Sequence, residues 1–363
     1  MGFTYIARVP SAYKDVDRGT ISGLDTRDDN FYIGTRDGWL VKLDEHFEIE
    51  WEEEALTGDF DNIEDIAVNS IGEVYWCHAN SSTLWKYDPV AGQHIEIVTS
   101  LDVEGIKRAV ATGLLDDYVF FAGHHIPEGG SIRSEIGRVS ADDVLIWTYT
   151  ASLQTTSNLA VDDVTGAVYF ASYNKLIKID TEGNEEWEYD PNFSVGTETH
   201  VGAGLDGYVY FAVEGQDRGV RKISTDGVEQ WVFDFSTVTT HPTSGNPDGY
   251  DTKAKAVHAN QDGDVYVGDD SEGVVKLDSN GNFVWRFGYA GGDVWRLLSY
   301  SDEVRIYVSG SEIRRLGPFP KRWVNGEWKE HVIWAKRPGA LYYDSETETF
   351  ENEPWNHVAW RRI

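Results

Sequence analysis

The feature that most restricts the fold is a short aromatic-ended segment that returns seven times along the 363 residues. Its members are Asn30-Phe-Tyr32, Gly72-Glu-Val-Tyr75, Asp117-Tyr-Val-Phe120, Gly166-Ala-Val-Tyr169, Gly207-Tyr-Val-Tyr210, Gly263-Asp-Val-Tyr266 and Val304-Arg-Ile-Tyr307. Successive aromatics are 41 to 56 residues apart. That period matches a four-stranded propeller blade, and no helical period competes with it.

A second signal follows each aromatic by about a dozen residues: an apolar strand, usually with a basic residue, that ends in Asp or Ser before a polar turn and a tryptophan. Val41-Lys-Leu-Asp44 leads to Trp51, Ile177-Lys-Ile-Asp180 to Trp187 and Val275-Lys-Leu-Asp278 to Trp285, always seven residues on. Ser140 to Trp147 and Ser224 to Trp231 keep the offset, while Asp88 leads to Ile95. Turns such as Asp180-Thr-Glu-Gly183 place glycine where a tight hairpin needs positive φ. The expected blade is therefore an inner strand, the aromatic strand, the Lys-x-Asp strand and an outer strand carrying tryptophan. Alternation sets one side of each strand against the neighbouring blade, so Trp51, Ile95, Trp147, Trp187, Trp231 and Trp285 are the expected inter-blade packing residues.

This pattern resembles the pyrroloquinoline-quinone-like repeat of the quinoprotein dehydrogenases and their non-catalytic relatives, over roughly residues 20 to 317. The resemblance implies an all-β, seven-bladed β-propeller with four-stranded antiparallel blades. The seventh unit lacks a clear outer strand after Leu316-Gly317-Pro318, and Phe3-Thr-Tyr-Ile-Ala-Arg-Val9 precedes the first inner strand without a blade of its own. The N-terminal strand is expected to close the ring, giving a propeller over 1–317 and a small β-rich appendage over 318–363. Catalytic members of the family hold the quinone with calcium, and several use a disulfide between adjacent cysteines. With Cys77 the only cysteine, seven repeats instead of eight and no calcium-ligand set that matches, the expectation is a non-enzymatic chain with no cofactor.

Charge narrows the partners. Sixty-two acidic against 31 basic residues give a net charge of −31, spread along the whole chain. Such a surface repels phosphates and anionic lipid, so neither nucleic acid nor membrane insertion is expected. At about 1 M salt the Debye length falls to about 3 Å, which suppresses self-repulsion, and the composition suits a halophile. The N-terminus shows no apolar signal core and no twin arginine, and no apolar run reaches a membrane span.

Candidate sites are few. His200 and His258 open two inner strands and could share a metal; His124 and His125 sit beside Glu128 at what reads as a long loop. All four are expected to be structural, and no metal is assigned. Turns such as Asp262-Gly-Asp264 and Asp269-Asp270 lack the ligand series of a calcium loop. The two longest departures from the repeat, His124 to Arg133 and Phe235 to Lys255, should emerge on one face, making His124, His125, Glu128, His241, Asp248 and Tyr250 candidate ligand-facing residues. After residue 317 the composition changes: Trp323, Trp328, Trp334, Trp355 and Trp360 are five of the 14 tryptophans. Lys321-Arg-Trp-Val-Asn-Gly-Glu-Trp328 reads as a hairpin, with further strands at Val332-Ile-Trp334 and Ala340-Leu-Tyr-Tyr343. The first is similar to short tryptophan-bearing repeats at the ends of tail and appendage proteins of haloarchaeal and bacterial viruses. So many aromatics need burial, on the propeller as a cap or on a partner as assembly contacts.

The leading expectation is a virion structural protein of a halophilic archaeal virus, a capsid turret or tail appendage. It would be an oligomer anchored to other virion proteins by its C-terminal segment and would present a propeller face to a host surface protein or glycan. The alternatives are a cytoplasmic propeller scaffold for protein partners, and a metal-dependent lyase or hydrolase at the channel mouth.

Overall fold

The computed structural model describes most of residues 21–316 together with two hairpins at 321–330 and 342–351. Residues 1–20, 236–253, 331–341 and 352–363, and a number of short connections, lie outside the described residues, and with them the expected closing strand Phe3–Val9.

Among the described residues every element of length is a strand. The first sheet is β1 (Ile21–Arg27), β2 (Asn30–Thr35), β3 (Trp39–Leu43) and β4 (Ile49–Glu54). The second is β5 (Ile63–Val68), β6 (Val74–His78), β7 (Leu84–Asp88) and β8 (Gln93–Ile97). The third is β9 (Gly105–Thr112), β10 (Val119–His125), β11 (Arg133–Val139) and β12 (Leu145–Ala151). The fourth is β13 (Thr155–Val161), β14 (Val168–Ser172), β15 (Lys175–Ile179) and β16 (Glu185–Tyr189). The fifth is β17 (Val195–Ala203), β18 (Tyr208–Gly215), β19 (Gly219–Ser224) and β20 (Glu229–Asp234). The sixth is β21 (Ala254–Ala259), β22 (Val265–Asp269), β23 (Gly273–Leu277) and β24 (Phe283–Gly288). These six sheets are antiparallel, with strands paired in chain order. A three-stranded sheet follows, β25 (Val294–Tyr300), β26 (Glu303–Val308) and β27 (Glu312–Leu316), then the hairpins β28 (Lys321–Val324) with β29 (Glu327–Glu330) and β30 (Tyr342–Asp344) with β31 (Thr349–Glu351). The first strands pack side by side in the order β1, β5, β9, β13, β17, β21, β25, and β25 also meets β1.

The repeat has a structural meaning that register makes visible. In each four-stranded sheet the aromatic of the second strand lies opposite the basic residue of the third, which lies opposite the tryptophan position of the fourth. Tyr32–Lys42–Trp51, Tyr75–Lys86–Ile95 and Phe120–Arg138–Trp147 form three such rows, and Tyr169–Lys178–Trp187, Tyr210–Lys222–Trp231 and Tyr266–Lys276–Trp285 form three more. The cations sit near the ring faces, as with Lys86 5.9 Å from the Tyr75 centroid and Lys276 5.4 Å from that of Tyr266, an arrangement that stabilises most when desolvated.

The row continues into the next sheet. The indole N–H of Trp147 donates to the Thr181 carbonyl (3.0 Å), that of Trp187 to Thr225 (2.7 Å) and that of Trp231 to Ser279 (3.2 Å). Each acceptor lies in the turn between the third and fourth strands of the following sheet. Lys178 Nζ caps the same Thr225 carbonyl at 3.2 Å. The glycine of each turn lies under the indole: a Cβ on Gly183, Gly227 or Gly281 would stand 2.9, 3.0 or 2.7 Å from the ring of Trp147, Trp187 or Trp231. These glycines answer to a ring from the previous blade as well as to positive φ.

The seam between the second and third sheets, which has no tryptophan in its row, is built differently. Where the second sheet carries Ile95, the corresponding turn of the third sheet has Asp143 in the glycine place, at φ 63°. With no indole above it, the carboxylate turns back to form an ion pair with Lys86, which Glu73 also meets at 3.1 Å. Burial pulls the Lys86 ammonium down, but the hydrogen bonds to Asp143 and Glu73 outweigh it and hold its pKa above the ordinary lysine value. On the outer side of this seam, Ile97 and Leu145 share an apolar cluster.

One expectation is corrected. His124 and His125 are not in a loop: β10 runs through both, with His124 opposite Ser134 and His125 opposite Arg133. Strand pairing extends one turn of the pleat past the point where the aromatic repeat stops being recognisable. The loop that remains, at 126–132, lies outside the described residues, as do Glu128, His241, Asp248 and Tyr250.

Candidate functional site at the inner strands

The first strand of each sheet has a partner on one edge only, so its other edge must be satisfied by neighbouring sheets, water or ligand. Side chains perform part of this. Asp25 Oδ2 accepts from the Val68 N–H (2.7 Å), Asp65 Oδ2 from the Val110 N–H (3.1 Å) and Asn158 Oδ1 from the Val201 N–H (3.0 Å). Each bond staples one inner strand to the next. Asp65 is 1% exposed and also accepts from the Ile66 N–H at 3.0 Å, so its buried carboxylate is held by backbone donors.

Between β13, β17, β21 and β25 the inner strands border a partly open cavity of 160 Å³. Asn158 and Val161 from β13, Gly202 and Ala203 from β17, His258 from β21 and Leu297 from β25 line it. Gly202 lets β17 approach β21: a Cβ there would collide with the Val257 carbonyl. His258 borders the cavity, half-buried, and burial pulls its imidazole down to about 4. The ring is therefore neutral at ordinary pH, with one donor and one acceptor nitrogen.

Of the two inner-strand histidines, His200 and His258, only His258 is among the described residues lining this cavity; His200, 6% exposed, is a buried residue of β17. Among the described residues no group of three His, Cys, Asp or Glu side chains is arranged to hold a metal. In the C-terminal segment the hairpin expected at Lys321–Trp328 is present, with Trp323 directly opposite Trp328. Ala340-Leu-Tyr-Tyr343 corresponds to β30, which begins at Tyr342. Trp334, Trp355 and Trp360 lie outside the described residues. Sequence reasoning picked out His258 but missed the cavity, because Ala, Val, Leu and Gly line most of it; Asn158, aligned with Asp65 two residues before the position facing the aromatic, was the signal it passed over.

No protein-family model matches the sequence, and no curated protein is significantly similar to it. Solved structures do share its shape. A catalytically inactive virginiamycin B lyase from Staphylococcus aureus, with quinupristin, superposes at a TM-score of 0.67 with 15% identity, covering 88% of this chain and 100% of that one. The selenomethionine-substituted form of the same lyase gives 0.66 at 14% identity, again over 88% and 100%. U3-55K gives 0.62 at 12% identity, over 84% and 98%. The expectation of a non-enzyme is corrected by this finding. It rested on the lack of quinoprotein features, yet the solved structures that share this shape over 88% of the chain include a lyase, and fold alone does not exclude chemistry. At these identities the likeness is one of fold, and the chain is an all-β protein of β-propeller architecture.

Proposed function

We propose that this chain is the recognition propeller of a halophilic archaeal virus particle, serving as a capsid turret or tail appendage. In this reading the ring has seven blades of the pyrroloquinoline-quinone-like type, and the N-terminal strand completes the seventh. The observation that carries the proposal is the partition of charge. Lys86, Lys178, Lys222, Arg138 and Arg221 are each no more than 8% exposed, the first four drawn inward against aromatic rings and Arg221 paired with Glu229, while the chain as a whole carries 31 excess acids. Cations used as internal fastenings leave an acidic exterior, which suits brine. Trp323 and Trp328, opposite one another in the hairpin register, are the anchoring residues of this reading, and many copies on one particle would raise a weak host contact by effective concentration. Particles purified from a source culture in high salt, imaged by cryo-electron microscopy, test it. This chain at symmetric positions, anchored through residues after Pro318, supports the proposal; its recovery only as a free intracellular species overturns it in favour of a scaffold.

A second reading is favoured by the cavity: a lyase or hydrolase acting at the channel. His258 offers an imidazole that stays neutral, and so able to accept a proton, at the edge of a partly open space, and a solved structure of similar shape is a lyase. Loss of turnover in His258→Ala, with the fold retained, would support it. Unchanged turnover in that variant would sink it.

A further inference from the structure

The cavity between β13, β17, β21 and β25 has a chemistry unlike the rest of the molecule. In a chain with 62 acidic and 31 basic residues, its described lining holds one amide, one imidazole and otherwise Ala, Val, Leu and Gly. Its framing strands are end strands of their sheets, so polarity comes from main-chain edges and apolarity from side chains. An ionised group entering this space would lose hydration and meet no opposite charge among the described lining residues, whereas an uncharged polar group loses little if its hydrogen bonds are replaced. Size sets a second limit. An apolar cavity of about 150 Å³ takes a benzene ring, and this one measures 160 Å³.

The two polar side chains are set for orientation. Because Asn158 Oδ1 accepts from Val201, the amide cannot be flipped, and its NH₂ end is what it offers a ligand. The His258 imidazole, kept neutral by burial, provides no cation to anchor a carboxylate.

We propose that this cavity binds a single uncharged six-membered ring bearing an amide or hydroxyl group, oriented by the amide of Asn158 and the imidazole of His258. The inference rests on the second reading above in placing function at the channel, and it names the class of group that enters; it does not require turnover.

Benzamide, with benzoate as its charged isostere, is the probe. Both are titrated into the full chain in high salt and followed by calorimetry and by the imidazole resonances of the histidines. The expected result is saturable benzamide binding that perturbs one imidazole, absent in His258→Phe, with benzoate at least about tenfold weaker, the worth of one desolvated charge mismatch. Ala203→Leu, which fills the cavity, should abolish binding without loss of fold; if that variant does not fold, Val161→Phe fills the same space from β13. No saturation with benzamide, equal affinity for benzoate, or binding undiminished in a folded cavity-filled variant each overturns the inference. Benzamide binding without any turnover leaves it standing and defeats the enzyme reading, and turnover without benzamide binding does the reverse.

Discussion

The seam between the second and third sheets offers a test of how these sheets are joined. At the three seams that follow, an indole covers a turn glycine of the next sheet; here Ile95 stands in the place of the indole and Asp143 in that of the glycine. Ile95→Trp alone should therefore be destabilising. The glycine positions show why: a Cβ there would stand 2.7 to 3.0 Å from the ring, and Asp143 already has one, with a carboxylate beyond it. Overpacking of this kind costs about 1–3 kcal/mol, to which the displaced ion pair with Lys86 adds. Asp143→Gly alone removes a charged hydrogen-bond partner from a nearly buried lysine, about 1.5–3 kcal/mol. It also relieves a left-handed non-glycine residue, which returns about 1–2 kcal/mol, so the net loss should be about 1 kcal/mol. In the double variant the ring has room, and its N–H can reach the Ala141 carbonyl, the counterpart of Thr181, Thr225 and Ser279. The two changes should then couple favourably by at least about 1.5 kcal/mol, within the range seen for residues in contact. Denaturant titration of wild type, both singles and the double in one high-salt buffer measures this. Additive losses, or a single Ile95→Trp at least as stable as wild type, would refute the account of the seam.

Trp187→Ala should cost about 3–5 kcal/mol, since it removes a ring packed over Gly227 and the hydrogen bond to Thr225 together; Trp187→Phe, which keeps most of the ring, should cost clearly less in the same titration. The His258 imidazole is held down at about 4 in the fold against about 6.5 when unfolded. The unfolded chain therefore binds the extra proton first, and stability present above pH 6.5 should fall toward pH 4 by up to about 1.4 kcal/mol per unit; His258→Asn should flatten that part of a pH–stability curve. With a net charge of −31, the midpoint of thermal unfolding should rise steadily with added potassium chloride as repulsion is screened, and full stability in dilute buffer would contradict the brine reading. A Cβ at Gly202 would press on the Val257 carbonyl, so Gly202→Ala should spread β17 from β21 and weaken the fold, visible as a lower midpoint.

Much of the architecture was legible because it is written in local chemistry repeated many times. Gly183 and its counterparts mark tight turns, the aromatic-ended segments mark second strands, and the constant offset from Asp180 to Trp187 measures one hairpin. The end of β10 was not legible: His124 and His125 look like the start of an insertion, but ladder hydrogen bonds to Arg133 and Ser134 carry the strand through them. Exclusion of catalysis also failed. It argued from motifs belonging to one branch of propellers, whereas sites on such scaffolds are assembled from residues far apart in sequence.

The sequence by itself determined the repeat, the strand order within each sheet, the brine-suited charge and the tryptophan positions, because each depends on residues within one hairpin or on composition. Only the tertiary structure decided which turns Trp147, Trp187 and Trp231 cover, that Ile95 and Asp143 answer one another across a seam, and that Asn158 and His258, 100 residues apart, border one cavity. Those are relations between sheets, and contacts between sheets are set by how the inner strands pack around one another, which no local pattern encodes.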